Sequence, residues 1–173
     1  EAIKYNFKAV CVNPSNVALA KDLLKNSDVL VCTVVGFPLG ANTTKVKVYE
    51  VDDALANGAD EIDMVINIGK FKEQDYDYVL DEIKALRIAT KDKTLKVIVE
   101  TAYLSEEEIA KVTELVVEAN ADFVKTSTGF ADRGAILKDV EIMKSVTKDA
   151  IEIKAAGGVR SPEDLEKMVQ AGA

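Results

Sequence analysis

Histidine and tryptophan are absent from the 173-residue sequence, and cysteine occurs only twice, as Cys11 and Cys32. Without histidine or clustered cysteines, neither a zinc site nor a serine–histidine triad can be assembled. Acid–base chemistry must therefore come from lysine, aspartate, glutamate, tyrosine or bound water. Both cysteines lie in apolar, strand-like runs, which predicts buried free thiols. Because no secretory signal is recognisable, we do not expect a disulfide.

Long apolar segments and an excess of positive charge are also missing. No apolar run approaches the roughly 18–20 residues of a membrane span, so we expect a cytoplasmic protein without a membrane-spanning segment. The formal net charge of −8 argues against nucleic acid as a partner. With 48% hydrophobic and 30% charged residues the composition is that of a globular protein, and the length predicts a single domain over residues 1–173.

Short β-like runs alternate with helical segments along most of the sequence. The strand candidates are Phe7–Val12, Val29–Val35, Glu61–Asn67, Leu95–Glu100, Asp122–Ser127 and Ile151–Ala155. Between them, apolar residues recur at helical spacing, for example as Val79, Ile83 and Leu86 and as Ile109, Val112 and Val116. This alternation predicts βαβ units and a parallel sheet, either a doubly wound open sheet or a (β/α)₈ barrel.

Helix boundaries are marked by capping residues. Ser105, with Glu108 three residues later, predicts a capping box. Ser161-Pro162 predicts an N-cap followed by proline at the first helical position. Asn57-Gly58 predicts the end of another helix.

The two faces of the predicted strands favour the barrel over the open sheet. Charged residues occupy alternate positions, so that one face of each strand is polar and the other apolar. The polar-face residues include Glu61, Asp63, Lys96, Lys125, Glu152 and Lys154. An open sheet would press these groups against apolar helices on both faces. A barrel gives them a common interior that opens at its C-terminal mouth, so we predict a (β/α)₈ TIM barrel.

Three lysines within predicted parallel strands are the main candidates for chemistry. A single strand lysine is more often an edge residue whose ammonium reaches solvent or a carboxylate. Lys96, Lys125 and Lys154, together with Asp63 on the same faces, favour a site instead. A lysine amine attacks a carbonyl only when unprotonated, and a neighbouring ammonium disfavours the protonated form. We therefore predict Lys125 as a Schiff-base lysine, Lys154 as its activating neighbour and Asp63 as a proton relay, with Lys96 in support.

A phosphate subsite is predicted where two strands run into glycine-containing loops. Gly157-Gly158 follows Lys154 and precedes a capped helix start, and Thr128-Gly129 follows Lys125. Glycine permits close approach of the backbone to a ligand, and free N–H groups near a helix N-terminus favour an anion. Cys11 lies close to the same mouth, where it could line the pocket, although a packed and inert thiol is the simpler expectation.

These segments together resemble the deoxyribose-phosphate aldolase family over essentially the whole chain. The resemblance is carried by Val10-Cys11-Val12-Asn13-Pro14, Gly36-Phe37-Pro38-Leu39-Gly40, Glu61-Ile62-Asp63-Met64-Val65-Ile66-Asn67, Lys96-Val97-Ile98-Val99-Glu100-Thr101, Phe123-Val124-Lys125-Thr126-Ser127-Thr128-Gly129-Phe130 and Lys154-Ala155-Ala156-Gly157-Gly158-Val159-Arg160. The Lys-Thr-Ser-Thr-Gly stretch is its most specific part.

The resemblance implies a class I aldolase that needs no metal and no cofactor. It implies reversible cleavage of 2-deoxy-D-ribose 5-phosphate to D-glyceraldehyde 3-phosphate and acetaldehyde. By motif position, Lys125 is the Schiff-base lysine, Lys154 perturbs it, Asp63 moves protons, and the Gly129 and Gly157-Gly158 segments hold the phosphate. We also expect a homodimer. The six strands match the family's second to seventh, so the first strand and the last strand and helix are expected to lie outside this sequence.

The residues alone leave other functions open. A transaldolase-like or dehydroquinase-like Schiff-base barrel would show the same pattern of strands and strand lysines. Only the motif resemblance separates these enzymes from a deoxyribose-phosphate aldolase. A catalytically silent barrel that binds a phosphorylated sugar is the alternative of a different class.

Overall fold

Six parallel strands form one sheet in the computed structural model, which describes all residues from Glu1 to Ala173. The strands are β1 (Ala9–Val12), β2 (Leu30–Val35), β3 (Glu61–Val65), β4 (Thr94–Ile98), β5 (Phe123–Lys125) and β6 (Glu152–Lys154). Their order in the sheet is their order in the chain. β1 and β6 are its two edges and are not paired with each other. These are consecutive β/α units of the predicted (β/α)₈ TIM-barrel type.

Seven α-helices connect or follow the strands. They are α1 (Val17–Leu24), α2 (Thr44–Ala56), α3 (Ile68–Lys72), α4 (Tyr76–Thr90), α5 (Glu106–Glu118), α6 (Leu137–Thr147) and α7 (Pro162–Ala171). Short 3-10 helices lie at Pro14–Asn16 and Thr101–Tyr103. None of these helices combines the length and the apolar character that crossing a lipid bilayer requires.

The predicted helix boundaries are confirmed. Ser105 and Glu108 form a reciprocal capping box at the start of α5, and Ser161 and Asp164 form another at the start of α7. Each box satisfies two backbone N–H groups that a helix start leaves without an intrahelical partner. Asn57 caps the C-terminus of α2.

Four of the six strands, β3 to β6, end earlier than the sequence pattern predicted. β3 ends at Val65, β4 at Ile98 and β5 at Lys125. Isolated backbone bonds continue beyond them, from Val99 N to Lys125 O at 3.0 Å and from Thr126 N to Lys154 O at 3.1 Å. The chains therefore stay beside one another past the regular ladder, which keeps the following loops together at one end of the sheet.

The hydrophobic core lies between the apolar strand faces and the helices. One cluster of 29 buried residues contains Ile62 and Met64 of β3, Leu95 and Val97 of β4, and Val124 of β5. The predicted helical stripes, Val79-Ile83-Leu86 and Ile109-Val112-Val116, belong to the same cluster. Because side chains alternate along a strand, burying this set turns the polar set to the other face.

Candidate active site

Asp63 of β3 is the centre of a polar cluster on the non-helical face of the sheet. Its Oδ1 accepts a hydrogen bond from Lys96 Nζ at 2.9 Å, and its Oδ2 accepts one from Lys125 Nζ at 2.6 Å. Only 3% of Asp63 and 7% of Lys96 are exposed, so these ion pairs are largely shielded from water. The structure thus joins two of the three predicted catalytic residues, Asp63 and Lys125, with the predicted supporting residue Lys96.

The register of the sheet explains these contacts. Asp63 is paired with Lys96 on the neighbouring strand, and Ile98, two residues further along β4, is paired with Lys125. In-register residues of parallel strands point to the same face, so all three polar groups project together. Lys125 reaches Asp63 diagonally across β4.

The two lysines keep the Asp63 carboxylate charged. Burial acts to raise the pKa of Asp63, but the positive charges of Lys125 and Lys96 outweigh it and hold that pKa below its usual value. For Lys96, burial acts to lower the pKa, but the charge of Asp63, the nearby Cys32 and the hydrogen bonds to Glu61 and Asp63 together outweigh it, so the pKa lies above its ordinary value. Glu61 adds an ion pair with Lys96 Nζ at 2.5 Å. Lys96 is therefore a fixed cation that anchors the cluster.

Lys154 lies beside Lys125 but differs from it in its hydrogen bonds. The two lysines are in-register neighbours on β6 and β5 and so share a face. Lys154 is exposed and donates no side-chain hydrogen bond, whereas Lys125 is paired with Asp63. The structure therefore places Lys154, without an ion-pair partner, beside Lys125 in the sheet.

The two cysteines meet at the other side of the cluster. Cys11 of β1 is in register with Cys32 of β2, and both sulfurs lie within 4.8 Å of each other and of a carboxylate oxygen of Asp63. The Cys32 thiol donates to Asp63 Oδ1 at 3.2 Å. Cys32 is buried as expected, but the expectation for Cys11 is wrong, because Cys11 is exposed. Its side chain is on the polar face of the sheet, away from the helices, where it lines an open cleft.

These groups line one open cleft of about 500 Å³, wide enough for a small substrate. Its lining includes Cys11, Cys32, Glu61, Asp63, Lys96, Lys125 and Lys154. Glu61 and Cys32 were missed as site residues by the sequence analysis. Glu61 shares the Asp63 face by simple alternation, so this signal was present in the sequence. Cys32 could be recognised as a site residue only from the register between β1 and β2, which the sequence does not show.

The predicted phosphate loops also lie together. A Cβ built on Gly157 would be 3.8 Å from Gly129 Cα and 3.1 Å from Gly134 Cα, so the loops after β5 and β6 are in close contact. Gly129, Gly157 and Gly158 have φ values of 89°, 74° and 80°, a region that glycine enters without strain. Their backbone N–H groups make no hydrogen bond within the chain. These amides are free to bind an anion.

Thr128 behaves differently from the glycines that surround it. Its backbone N–H donates to Glu100 Oε2 at 3.1 Å, and its hydroxyl donates to the same oxygen. Its amide is therefore occupied, in contrast to the expectation that it joins Gly129 in binding an anion. Glu100 is only 2% exposed and has left-handed backbone angles (φ 55°, ψ 70°), a strained conformation for a non-glycine residue. Glu100, which the sequence analysis did not select, anchors the loop after β5.

Comparison with known proteins places this site in a family. The model of the DeoC/LacD family of aldolases matches residues 1–173. The chain belongs to the DeoC/LacD aldolase family. It is accordingly an aldolase, which is a carbon–carbon lyase.

Individual relatives agree with this assignment. A protein named deoxyribose-phosphate aldolase from Metamycoplasma arthritidis is 61% identical over 173 residues, which are 100% of this chain and 80% of that protein. The solved structure of QR15, an aldolase, is 48% identical with a TM-score of 0.95, covering 99% of this chain and 77% of that one. A deoxyribose phosphate aldolase from Aeropyrum pernix, described as tetrameric, is 30% identical with a TM-score of 0.90, covering 99% and 73%.

Proposed function

We propose that this aldolase cleaves 2-deoxy-D-ribose 5-phosphate reversibly to D-glyceraldehyde 3-phosphate and acetaldehyde, through a Schiff base on Lys125. The contact between Lys125 and Asp63, 2.6 Å long and inside the shared cleft, is the observation that carries the proposal. The 61% identity to a protein named deoxyribose-phosphate aldolase supports the choice of substrate.

In the proposed reaction, the Lys125 amine attacks the aldehyde carbon C1 of the open-chain sugar. Loss of water from the resulting carbinolamine gives a protonated imine. The C2–C3 bond then breaks as the C3 hydroxyl loses its proton, which releases glyceraldehyde 3-phosphate and leaves an enamine. Protonation of the enamine at C2 and hydrolysis of the imine release acetaldehyde and restore the lysine. The imine is the electron sink, so the chemistry requires no metal or redox cofactor.

Asp63 moves the protons in this proposal. Its Oδ2 is in direct contact with Lys125 Nζ and can accept the proton that the amine must lose. The same carboxylate can pass protons, through a water molecule, to the carbinolamine oxygen and to the C3 hydroxyl. Lys96 and the Cys32 thiol hold its other oxygen in place, so Asp63 is fixed while it exchanges protons.

Lys154 and the glycine loops complete the proposed site. Lys154, in register with Lys125 on the adjacent strand, is the neighbour that activates the Lys125 amine in this proposal. The free N–H groups of Gly129, Gly157 and Gly158 bind the phosphate of the substrate. Cys11 lines the same cleft as Lys125 and Lys154.

Turnover assays with the purified chain test the proposal. We expect acetaldehyde and glyceraldehyde 3-phosphate in equal amounts from 2-deoxy-D-ribose 5-phosphate, at an unchanged rate after treatment with a chelator. A rate that falls with chelation and returns with a divalent metal would contradict the proposed mechanism. Binding without turnover would favour the silent sugar-phosphate-binding barrel instead.

Two further expectations accompany the proposal. We infer that the enzyme acts in the cytoplasm and as a homodimer. Sedimentation equilibrium tests the second point, because a homodimer has twice the 18.7 kDa mass of the chain.

A further inference from the structure

Cys11 and Cys32 are placed as a disulfide requires. They are in-register partners on neighbouring parallel strands, which lie about 4.8 Å apart. This separation falls within the range of roughly 4.4–6.8 Å between the Cα atoms of disulfide-bonded cysteines. The two sulfurs lie within 4.8 Å of each other. Side-chain rotation is the movement that would bring the two sulfurs to bonding distance.

The two thiols differ in accessibility. Cys11 is exposed in the open cleft, whereas only 3% of Cys32 is exposed. The neighbouring Cys32 thiol and the charges of Lys125 and Lys96 lower the pKa of Cys11 to about 7, which favours its thiolate form. The thiolate is the form that reacts with oxidants. An oxidant that enters the cleft therefore reacts with Cys11 first, and Cys32 is the neighbouring thiol on the next strand.

We propose that Cys11 and Cys32 form a thiol-oxidation site, in which a hydroperoxide converts the pair into a reversible intrachain disulfide. In the first step the Cys11 thiolate forms an S–O bond as the peroxide O–O bond breaks. The leaving oxygen takes up a proton and departs as water or an alcohol. In the second step the Cys32 sulfur forms the S–S bond, and the S–O bond of Cys11 breaks.

The proton and electron balance of the second step uses groups already in contact. The departing hydroxide takes the proton of Cys32 and leaves as water, and Asp63 Oδ1, 3.2 Å from Cys32 Sγ, lies where it can carry that proton. The two sulfurs together give up two electrons, and the peroxide accepts them. A dithiol reductant reverses the change by thiol–disulfide exchange.

Oxidation at this position changes the environment of Asp63. A disulfide sulfur carries no hydrogen, so the bond from Cys32 to Asp63 Oδ1 is lost, and the contact of Lys96 Nζ with Cys32 Sγ at 3.6 Å changes with it. Losing a hydrogen bond to a charged group can lower a reaction rate about tenfold, so we expect the rate of aldol cleavage to fall by about this factor. The effect on catalysis, unlike the oxidation itself, rests on the proposed function of Asp63.

The experiment treats the whole chain with stoichiometric hydrogen peroxide, alkylates the remaining thiols and maps the peptides by mass spectrometry. We expect both cysteines to escape alkylation, and the peptides containing Cys11 and Cys32 to appear as one cross-linked species that dithiothreitol separates. Full alkylation of both cysteines, Cys11 oxidised to a sulfinic acid with Cys32 unchanged, or a disulfide between two chains would each overturn the proposal.

A matched variant separates the two thiols. In Cys32→Ala we expect Cys11 to stop at the sulfenic acid, which dimedone traps, with no intrachain cross-link. Aldol cleavage of each protein is compared with that of its own untreated sample. We expect about a tenfold, dithiothreitol-reversible loss in the parent chain only. A cross-link that leaves turnover unchanged would overturn the coupling to Asp63. An untreated chain without turnover would refute the proposed function, while the peptide map would still decide on the oxidation site.

Discussion

Lys125 Nζ lies 2.6 Å from Asp63 Oδ2, although the two residues are 62 positions apart and their strands are separated by β4. The contact depends on the register of three parallel strands, which turns Asp63, Lys96 and Lys125 to one face. It places a proton acceptor against the amine that we propose as the nucleophile. The predictions below follow from this contact and from the groups that support it.

Asp63→Asn is expected to make stability less dependent on pH at acid pH. The folded-state pKa of Asp63 lies below its ordinary value, so its carboxylate contributes stability above about pH 4 and loses that contribution as the pH falls further. At pH 7 we expect the variant to be about 3 kcal/mol less stable than the parent.

Urea unfolding of both proteins between pH 7 and pH 3 measures this difference. All other carboxyl groups are shared, so the difference between the two proteins isolates Asp63. A difference that stays constant down to pH 3 would show that the ion pairs of Asp63 do not stabilise the fold as proposed.

Lys154→Met and Lys154→Arg are expected to show whether turnover depends on the positive charge of Lys154 or on the length of its side chain. Methionine removes the ammonium while keeping a long unbranched side chain, and we expect turnover to fall on the order of 100-fold. Arginine keeps the positive charge and should retain most of the turnover. Single-turnover kinetics with excess enzyme measure the effect on the chemical steps. Equal losses in both variants would mean that the charge of Lys154 is not what matters.

Gly158→Ala is expected to weaken binding of the phosphate selectively. A Cβ at this position has room, with Ala135 O 3.7 Å away, but the φ of 80° is strained for alanine. We expect the loop to shift, and KM for 2-deoxy-D-ribose 5-phosphate to rise about tenfold. Cleavage of 2-deoxy-D-ribose, which has no phosphate, should not change. Gly69→Ala in α3, where φ is not positive, is the matched control, and a similar rise in KM there would refute the assignment.

Lys47 and Glu82 are expected to behave as one unit in stability. Both are completely buried, and Lys47 Nζ donates to Glu82 Oε1 at 2.7 Å and to Val65 O of β3 at 2.8 Å. Burial lowers the pKa of Lys47 and raises that of Glu82. Lys47→Met removes the counter-ion of the buried Glu82 carboxyl group, and we expect it to cost about 3–5 kcal/mol.

The double variant Lys47→Met, Glu82→Gln removes both charges. Chemical unfolding should show it to be less destabilised than the sum of the two single variants. Strict additivity would mean that the two side chains stabilise the fold independently.

Much of the site could be predicted from alternation along the strands. The positions of Asp63, Lys96, Lys125 and Lys154 each follow from which side chains must face the helices, because burying Ile62, Val97, Val124 and Ile153 leaves only one face for the polar residues. The helix starts at Ser105 and Ser161 could also be predicted, because each capping box is formed by residues only three positions apart. The strand ends were less predictable, because extended chain continues past the last regular pair.

The remaining features depend on tertiary contacts that no local pattern shows. Lys47 lies in a helix and would ordinarily be assigned to solvent, yet the structure buries it against Glu82 of another helix. Glu100 reaches the amide of Thr128 because the segments after β4 and β5 stay beside each other, as the bond from Thr101 N to Thr126 O shows. Cys11 is exposed because it lines the open cleft on the polar face of the sheet.

Borohydride trapping tests the central claim most directly. The chain is incubated with acetaldehyde and sodium borohydride, digested and mapped by mass spectrometry, with Lys125→Ala and Lys96→Ala treated in parallel. We predict one reduced ethyl adduct on Lys125, no adduct at the active site of Lys125→Ala, and modification still at Lys125 in Lys96→Ala. An adduct on Lys96 or Lys154 with Lys125 unmodified, or turnover by a folded Lys125→Ala near that of the parent chain, would contradict the account.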